Sequence, residues 1–389
     1  MSETRRAKIL VIDDEAGMLR AVERILAPEH EVTCAATPAE GLTRVHSANP
    51  DLVICDIGMP RMDGFEVMQR LKQTHPELDV ILMTGMSDPD THMVRAIREK
   101  AFYFIEKPFN RQVMRTLVER CLELRRLREA EKMHRARIDR ELAEARSFQQ
   151  TMLPPTKAVI EGIAIDARCV ACSELGGDIF DYAPAGPGQA AVLVADVAGH
   201  GMSAALLTAV VKAAFRSSAV DGFEPLAVVR RVAQGIAGFS ARRFVTLVVA
   251  RIDRGKQVLA FVSAGHPPVI VRGGDAQVTL LDATGPLVSP AFGLDEWEQQ
   301  SVPFGSASTL LIYTDGITDA AGENGRFTRQ RLVEHVRSRA ARGDALLGSI
   351  LEQVQTFAEN QAQVDDLTLL TATHATERGS GVPPERSPR

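Results

Sequence analysis

Long apolar runs, an excess of basic residues and an even number of cysteines are all missing from this sequence. No apolar stretch reaches the roughly 18 residues that a membrane span needs. The apolar run near the start is broken at once by Asp13 and Asp14, unlike a signal peptide. The net charge of -5 provides no basic field for nucleic acid, and five scattered cysteines fit a reduced compartment better than a disulfide framework. We therefore expect a cytoplasmic protein that binds neither membranes nor nucleic acids.

The hydrophobic pattern divides the chain into two globular blocks. In residues 1–122, short apolar runs alternate with amphipathic stretches, which is typical of a doubly wound α/β domain with a parallel sheet. Residues 156–374 contain several strands in succession, with helical stretches at 202–220 and 224–239, and this pattern indicates a layered α+β domain. Residues 375–389 are polar and rich in Pro and Gly, so we expect a disordered tail.

Residues 123–155 connect the two blocks. No Pro or Gly occurs between Pro108 and Pro154, so the pattern predicts a helix roughly 60 Å long at about 1.5 Å per residue. Apolar residues recur in a heptad that charged residues interrupt near its middle, as in an imperfect coiled coil. Such a helix can be a solvated spacer or a parallel dimer stalk. Because long uncapped helices usually pair, we favour a homodimer through residues 115–150.

Polar residues stand at the ends of the predicted strands of the first block: Asp13, Asp14, Asp56, Thr84 and Lys107. The carboxyl ends of parallel strands meet at one edge of the sheet, where functional groups gather. Crowded carboxylates need a hard cation, and Mg²⁺ takes oxygen ligands such as Asp13, Asp14 and Asp56. Asp56 can attack a phosphoryl donor to form an aspartyl phosphate, while Lys107 and Thr84 offer a cation and a hydroxyl to the phosphoryl oxygens. A single acid would be an ordinary turn residue, but the complete set favours a phosphorylation site.

The segments PDLVICDIGMPRMDG and FIEKPF closely resemble the receiver family of response regulators. The resemblance implies a five-stranded parallel sheet and phosphorylation of Asp56 by a cognate histidine kinase, with Mg²⁺ held by Asp56 and the two acids after the first strand. It also implies that Thr84 is the switch hydroxyl and Lys107 the phosphate-sensing cation. Phe104 would be the aromatic side chain that moves on activation.

Four acidic clusters punctuate the second block, and most of them adjoin an apolar strand or a glycine. Carboxylates at strand ends can converge in space, and converged acids without His or Cys favour Mg²⁺ or Mn²⁺. Two such ions roughly 4 Å apart can activate a bridging water and clamp a phosphoryl group. Acids beside glycine are also ordinary turn residues, so the residues alone leave a two-metal hydrolase open. The acids are Asp178 with Asp181 nearby, Asp196, Asp315 with Asp319, and Asp365 with Asp366.

The motifs GGDIFDY, LVADVAGHGMSAAL, SAGHPPVIV, LLIYTDGITDA and DDLTLL occur in the order that is typical of another known family. They resemble the PPM metal-dependent protein phosphatases, in particular the bacterial sporulation and stress-response branch that dephosphorylates anti-sigma-factor antagonists. The segment ELAEARSFQQTMLPP resembles the lead-in helix of that branch. The resemblance implies a β-sandwich flanked by helices, two Mn²⁺ or Mg²⁺ ions, and a phosphorylated anti-sigma-factor antagonist as substrate. The metal ligands that it implies are Asp178, Asp196, the carbonyl of Val197, Asp315, and Asp365 or Asp366.

Three other features allow different interpretations. The run GGDIF resembles the signature of diguanylate cyclases, but Ile179 replaces the second acid. Cys169 and Cys172 form a CxxC pair without the further ligands that structural zinc needs. His200 could be a general acid or a residue that shapes its loop, and both readings stay open; we expect His266 to be a turn residue with structural hydrogen bonds.

The sequence thus predicts a response regulator in which Asp56 phosphorylation controls a phosphoserine/phosphothreonine phosphatase. The alternative is a phosphorylation-switched adaptor that sequesters a partner with little catalysis. The complete set of candidate metal acids favours the enzyme. The cognate kinase, the identity of the substrate and the sign of the regulation are left open.

Overall fold

The chain folds as two compact units, Met1–Ile138 and Asp139–Arg389. A computed structural model describes residues 5–85, 103–172, 175–199, 201–240, 242–323, 325–339, 341–359, 361 and 363–375. His200 and residues 376–389 of the expected tail lie outside the described residues, so neither expectation is tested.

The first unit is a doubly wound α/β fold around a five-stranded parallel sheet of order β2-β1-β3-β4-β5, which confirms the predicted architecture. The central strands are buried on both faces, and this is why their sequences are continuously apolar. The strands are β1 (Lys8–Ile12), β2 (Glu31–Ala35), β3 (Leu52–Asp56), β4 (Asp79–Thr84) and β5 (Tyr103–Glu106), and the described helices before β4 are α1 (Ala16–Leu26), α2 (Pro38–Ala48) and α3 (Gly64–Thr74).

Helix α4 runs without a break over Arg111–Met152. Its 42 residues give a length of about 63 Å at about 1.5 Å per residue, which confirms the long helix expected from the absence of Pro and Gly. Met114, Val118 and Cys121 on its first turns are buried in the core of the first unit. Residues 131–140 are exposed throughout.

Two charged residues in the middle of α4 make specific contacts with the first unit. Arg128 donates to both carboxylate oxygens of the buried Asp79, at 2.9 and 3.3 Å. Lys132 lies 2.8 Å from Glu77. Helix α4 is therefore attached to the first domain as far as Lys132, and any pairing surface has to use the faces that these contacts leave exposed.

The second unit is a β-sandwich of two antiparallel sheets flanked by helices. One sheet has the order β14-β11-β10-β9-β8 and the other β13-β12-β15-β18-β7-β6. Phe180, Val194, Phe261 and Ile312 belong to the core between them. The strands are β6 (Lys157–Ile160), β7 (Ile163–Val170), β8 (Asp178–Gly186), β9 (Gln189–Val197), β10 (Val245–Asp253), β11 (Val258–Ala264), β12 (Val269–Arg272), β13 (Val278–Leu281), β14 (Gln300–Pro303), β15 (Thr309–Tyr313), the short pair β16 (Ala321–Gly322) and β17 (Gly325–Arg326), and β18 (Leu367–His374).

Helices cover the outer faces of both sheets. Helices α5 (Met202–Ser217) and α6 (Pro225–Ile236) pack on the first sheet, and α7 (Asp315–Asp319), α8 (Arg329–Ser338) and α9 (Gly343–Ala358) pack on the second. The stretch Met202–Asp221 is long and apolar enough to cross a membrane by length and composition alone. Leu207, Val211 and Phe215 of this stretch are buried against the sheet, and core helices commonly pass that test.

Candidate phosphorylation and metal sites

The carboxyl ends of β1 and β3 form an acidic pocket in the first domain. Because the two strands pair directly, Asp13 follows β1 beside Asp56 at the end of β3. Carboxylate oxygens of Asp13, Asp14 and Asp56 lie within 4.8 Å of one another. The Lys107 ammonium lies 2.7 Å from a carboxylate oxygen of Asp13 and 2.7 Å from one of Asp56. The structure thus brings together four of the predicted residues.

Burial sets the electrostatics of this pocket. It raises the pKa of Asp13, and the hydrogen bond from Lys107 offsets part of that rise. Burial alone would lower the pKa of Lys107, but its hydrogen bonds to Asp13 and Asp56 outweigh that effect and the pKa is raised. Lys107 therefore stays protonated as the counter-ion of the acids.

Thr84 and Phe104 also lie near this edge of the sheet. Thr84 ends β4, is buried, and accepts the backbone N–H of Lys107 on its carbonyl at 2.6 Å. Its hydroxyl donates to the carbonyl of Gly85 at 3.2 Å. Phe104 is half-buried on β5 and packs against the core on the α2 and α3 side of the sheet. Residues 86–102 lie outside the described residues, so no motion of Thr84 or Phe104 is tested.

Strand ends also bring the acids of the second unit together. Asp178 begins β8 and lies opposite Asp196 on β9 in antiparallel register. Strands β15 and β18 pair, so Asp315, just after β15, and Asp365, just before β18, are at the same end of that sheet. The hydroxyl of Thr314 donates to Asp178 at 2.8 Å and so ties the two sheets at this end.

Burial and mutual repulsion together raise the pKa values of these carboxylates. Burial, followed by the charges of Asp315, Asp365 and Asp366, raises the pKa of Asp196 to about 7. Burial, then Asp196, raises the pKa of Asp178 well above its ordinary value. Burial, then Asp365, raises that of Asp315. The charged neighbours that shift Asp196 are all carboxylates, and an all-oxygen donor set of this charge fits hard divalent cations.

Asp365 and Asp366 have different surroundings. Asp366 is buried, and its carboxylate accepts the backbone N–H groups of Cys172 at 2.8 Å, Gly177 at 2.6 Å and Asp178 at 3.3 Å. Asp365 is exposed, and its carboxylate accepts the N–H of Asp366 at 2.8 Å. Asp366 therefore holds the loop before β8, while the charge of Asp365 acts on Asp196 and Asp315.

A glycine brings the loop before β8 close to the carbonyl of Val197. The N–H of Val197 donates to the carbonyl of Gly177 at 3.1 Å. A Cβ atom on Gly177 would lie 2.6 Å from the Val197 carbonyl oxygen, closer than van der Waals contact allows. Glycine at this position therefore permits the approach of the two segments that carry candidate ligands.

Some candidate residues are used elsewhere. Asp181 is buried and binds Lys212 at 3.0 Å and Arg216 at 2.8 Å, both on α5, so it does not join the acidic cluster. His266 is buried with Nδ1 2.9 Å from the hydroxyl of Thr246, and burial lowers its pKa to about 3. The structural interpretation of His266 thus agrees with the geometry.

Cys169 and Cys172, which form the CxxC pair, lie beside the loop that precedes β8. Both are free thiols, and burial raises the pKa of Cys169 to about 12 and that of Cys172 to about 11.

Thr314 was not identified from the sequence as a residue of the site, although its place directly before Asp315 was a usable signal. Gln149 of α4, which contacts Gly176, was missed as well, although it lies in the segment that resembles the lead-in helix.

Comparison with known proteins finds a family match in each of the two domains. Residues 9–119 match the family model of the response regulator receiver domain, and residues 186–375 match that of stage II sporulation protein E, SpoIIE. The phosphoserine phosphatase RsbP of Bacillus subtilis is 31% identical over 186 residues, which are 46% of this chain and 45% of RsbP. The nitrogen assimilation regulatory protein NtrX of Azorhizobium caulinodans is 37% identical over 123 residues, 31% of this chain and 27% of NtrX.

A solved structure supports the fold of the second unit. The SiaA-PP2C domain of Pseudomonas aeruginosa superposes with a TM-score of 0.54 at 22% identity, covering 61% of this chain and 97% of that domain. This chain spans less than half the length of either curated relative, RsbP or NtrX.

Proposed function

Since the chain is a response regulator that joins a receiver domain to a SpoIIE-type PPM phosphatase domain, we propose that phosphorylation of Asp56 controls hydrolysis of phosphoserine or phosphothreonine on a partner protein. Burial, followed by the charges of Asp315, Asp365 and Asp366, raises the pKa of Asp196 to about 7. Asp178 lies opposite Asp196 on the paired strand, and this grouping of acids carries the proposal. The partner is a phosphorylated anti-sigma-factor antagonist, the phosphodonor is a cognate histidine kinase, and the protein acts in the cytoplasm. The similarity to RsbP, a phosphoserine phosphatase, supports phosphoserine as the group that is hydrolysed.

In this proposal Asp178, Asp196, the carbonyl of Val197, Asp315 and Asp365 would hold two Mn²⁺ or Mg²⁺ ions. When bound, such ions supply an activated water and neutralise the phosphoryl oxygens. The surrounding residues of the protein keep the carboxylates of these ligands ionised and in position.

Two neighbours position these ligands. Thr314 donates a hydrogen bond to one oxygen of Asp178, which helps to fix the orientation of the carboxylate. Asp366 holds the preceding backbone through Gly177 and through the N–H of Asp178 itself. Both contacts act through Asp178, so we regard Thr314 and Asp366 as positioning residues.

In the receiver domain, an oxygen of Asp56 attacks the phosphorus of the phosphodonor. The bond from phosphorus to the donor breaks as the bond to Asp56 forms. Asp13, Asp14 and Asp56 would hold a Mg²⁺ ion, which would neutralise charge on the phosphoryl oxygens, and Lys107 supports the product by pairing with these oxygens. Thr84 supplies the switch hydroxyl.

Hydrolysis of p-nitrophenyl phosphate with and without Mn²⁺ tests the proposal. We expect Mn²⁺-dependent turnover by the wild type, abolished by EDTA, and a loss of at least about 100-fold in Asp315→Ala because the remaining ligands no longer hold both ions. Asp319→Ala is the matched control, since Asp319 lies on the same short helix and pairs with Arg326 at 2.6 Å. Turnover that is absent in the wild type would favour the adaptor, and equal turnover in Asp315→Ala would remove Asp315 from the site.

A further inference from the structure

The last turns of α4 contact the loop that leads into Asp178. The side-chain amide of Gln149 donates to the carbonyl of Gly176 at 2.7 Å, and its oxygen accepts the N–H of Gly176 at 3.2 Å. The same amide nitrogen lies 3.4 Å from the hydroxyl of Thr208 on α5. Gln149 thus satisfies both polar groups of one backbone residue, two positions before a candidate metal ligand.

This loop has room to move if Gln149 is removed. A cavity of about 250 Å³ lies against it, lined among others by Gln149, Gly176, Asp178 and Asp366. On its other side the loop is held by Asp366 through the N–H groups of Gly177 and Asp178. A segment with two consecutive glycines is conformationally permissive, so Gln149 and Asp366 restrict this loop in addition to the strand pairing that begins at Asp178.

We propose that Gln149 is a positioning residue that sets the divalent-metal affinity of the phosphatase site by fixing the loop before Asp178. The inference rests on the proposed function, because it assumes that Asp178 is a metal ligand. An amide side chain is required, since Gln149 must donate to a carbonyl and accept from an N–H on the same residue. A carboxylate could accept from the N–H, but it would repel the carbonyl and the nearby Asp366.

The position of Gln149 on α4 makes metal affinity sensitive to that helix. Helix α4 is continuous over Arg111–Met152, and Gln149 lies within one turn of its end. A rotation or slide of the last turns by about 1 Å stretches hydrogen bonds of 2.7 and 3.2 Å beyond the range in which they hold. The loop then relaxes toward the cavity and carries Asp178 with it.

Titration calorimetry with Mn²⁺ alone, on the full chain, tests the proposal. Gln149→Met keeps the length of the side chain but removes both hydrogen bonds, and we expect Mn²⁺ binding to weaken at least about tenfold, as for other residues that orient metal ligands. The Mn²⁺ concentration for half-maximal p-nitrophenyl phosphate hydrolysis should rise in parallel, with kcat at saturating Mn²⁺ within about twofold of wild type. Gln150→Met, on the exposed face of the same turn, should match the wild type.

Gln149→Glu keeps the size of the side chain and the acceptor for the N–H of Gly176. It therefore provides a second test if Gln149→Met does not fold. We expect it to weaken Mn²⁺ binding as well. Wild-type Mn²⁺ affinity in either folded variant would overturn the inference, as would equal weakening in Gln150→Met. If the wild type binds Mn²⁺ but does not hydrolyse phosphate esters, the proposed function fails while calorimetry still tests the role of Gln149.

Discussion

The carboxylate of Asp366 accepts the backbone N–H of Gly177 at 2.6 Å, whereas the adjacent Asp365 is exposed beside the acidic cluster. We therefore expect these neighbouring acids to have separate roles, Asp366 in holding the loop and Asp365 in binding metal. We expect Asp365→Ala to lose nearly all Mn²⁺-dependent turnover while its free energy of unfolding stays within about 0.5 kcal/mol of wild type.

Asp366→Ala should instead destabilise the second domain. Three buried or half-buried N–H groups lose their acceptor, and each unsatisfied group costs about 1–3 kcal/mol. We expect a loss of at least about 2 kcal/mol, measured by urea unfolding beside turnover at saturating Mn²⁺. The reverse pattern, with Asp365→Ala unstable and Asp366→Ala stable but inactive, would show that the two roles are exchanged.

The close approach of Gly177 to Val197 gives a second prediction. A Cβ on Gly177 would lie 2.6 Å from the Val197 carbonyl oxygen, so Gly177→Ala has to displace one of two ligand-bearing segments. We expect Mn²⁺ to bind at least about tenfold more weakly, measured by calorimetry. Gly348→Ala on α9 is the control, because its Cβ meets nothing within 4 Å. Equal Mn²⁺ affinity in the two variants would remove Val197 from the site.

The receiver pocket predicts a single phosphorylation site. Asp56 is the acid that ends β3 within reach of Lys107, so Asp56→Ala should abolish labelling by acetyl phosphate. Glu66→Gln serves as control, because Glu66 is a surface acid of the same domain that pairs with Arg70 at 2.8 Å. Persistent labelling of Asp56→Ala at unchanged stoichiometry would mean that the site has been misplaced.

The exposed middle of α4 offers a test of the predicted dimer stalk. Each added residue rotates a helix by about 100°, so a two-residue insertion after Ala136 turns one half of α4 by about 200° against the other. A seven-residue insertion returns to within about 20° of the original face. We expect the short insertion to abolish the response to receiver phosphorylation with basal turnover intact, and the long one to retain it. A chain that is monomeric by light scattering in both states, or equal responses in all forms, would reduce α4 to a tether.

The fold was predictable because its signals are local. Buried parallel strands such as Leu52–Asp56 read as unbroken apolar runs, and the absence of Pro and Gly sets the extent of α4. The acids at strand ends followed from the same pattern, since a strand end fixes where the next side chain lies. These inferences needed only periodicity and the chemistry of oxygen ligands.

The rest depends on contacts between distant parts of the chain. Asp365 and Asp366 are indistinguishable in sequence, and only the fold of the loop before β8 gives Asp366 three N–H donors. Asp181 looked like a further metal acid until Lys212 and Arg216 of α5 were found to neutralise it. Arg128 and Gln149 are polar residues of one helix. Each has a hydrogen-bond partner far away in sequence, which the sequence does not reveal.

The central claim, that the receiver domain controls the phosphatase domain, is tested most directly by one ratio. It is the rate of Mn²⁺-dependent phosphate release from a phosphoserine protein with beryllofluoride and Mg²⁺, divided by the rate without beryllofluoride. We predict a several-fold departure from one in the wild type and a ratio of one in Asp56→Ala, since the mimic acts through that carboxylate. A ratio of one in the wild type, while Asp56 is labelled by acetyl phosphate, would contradict the account.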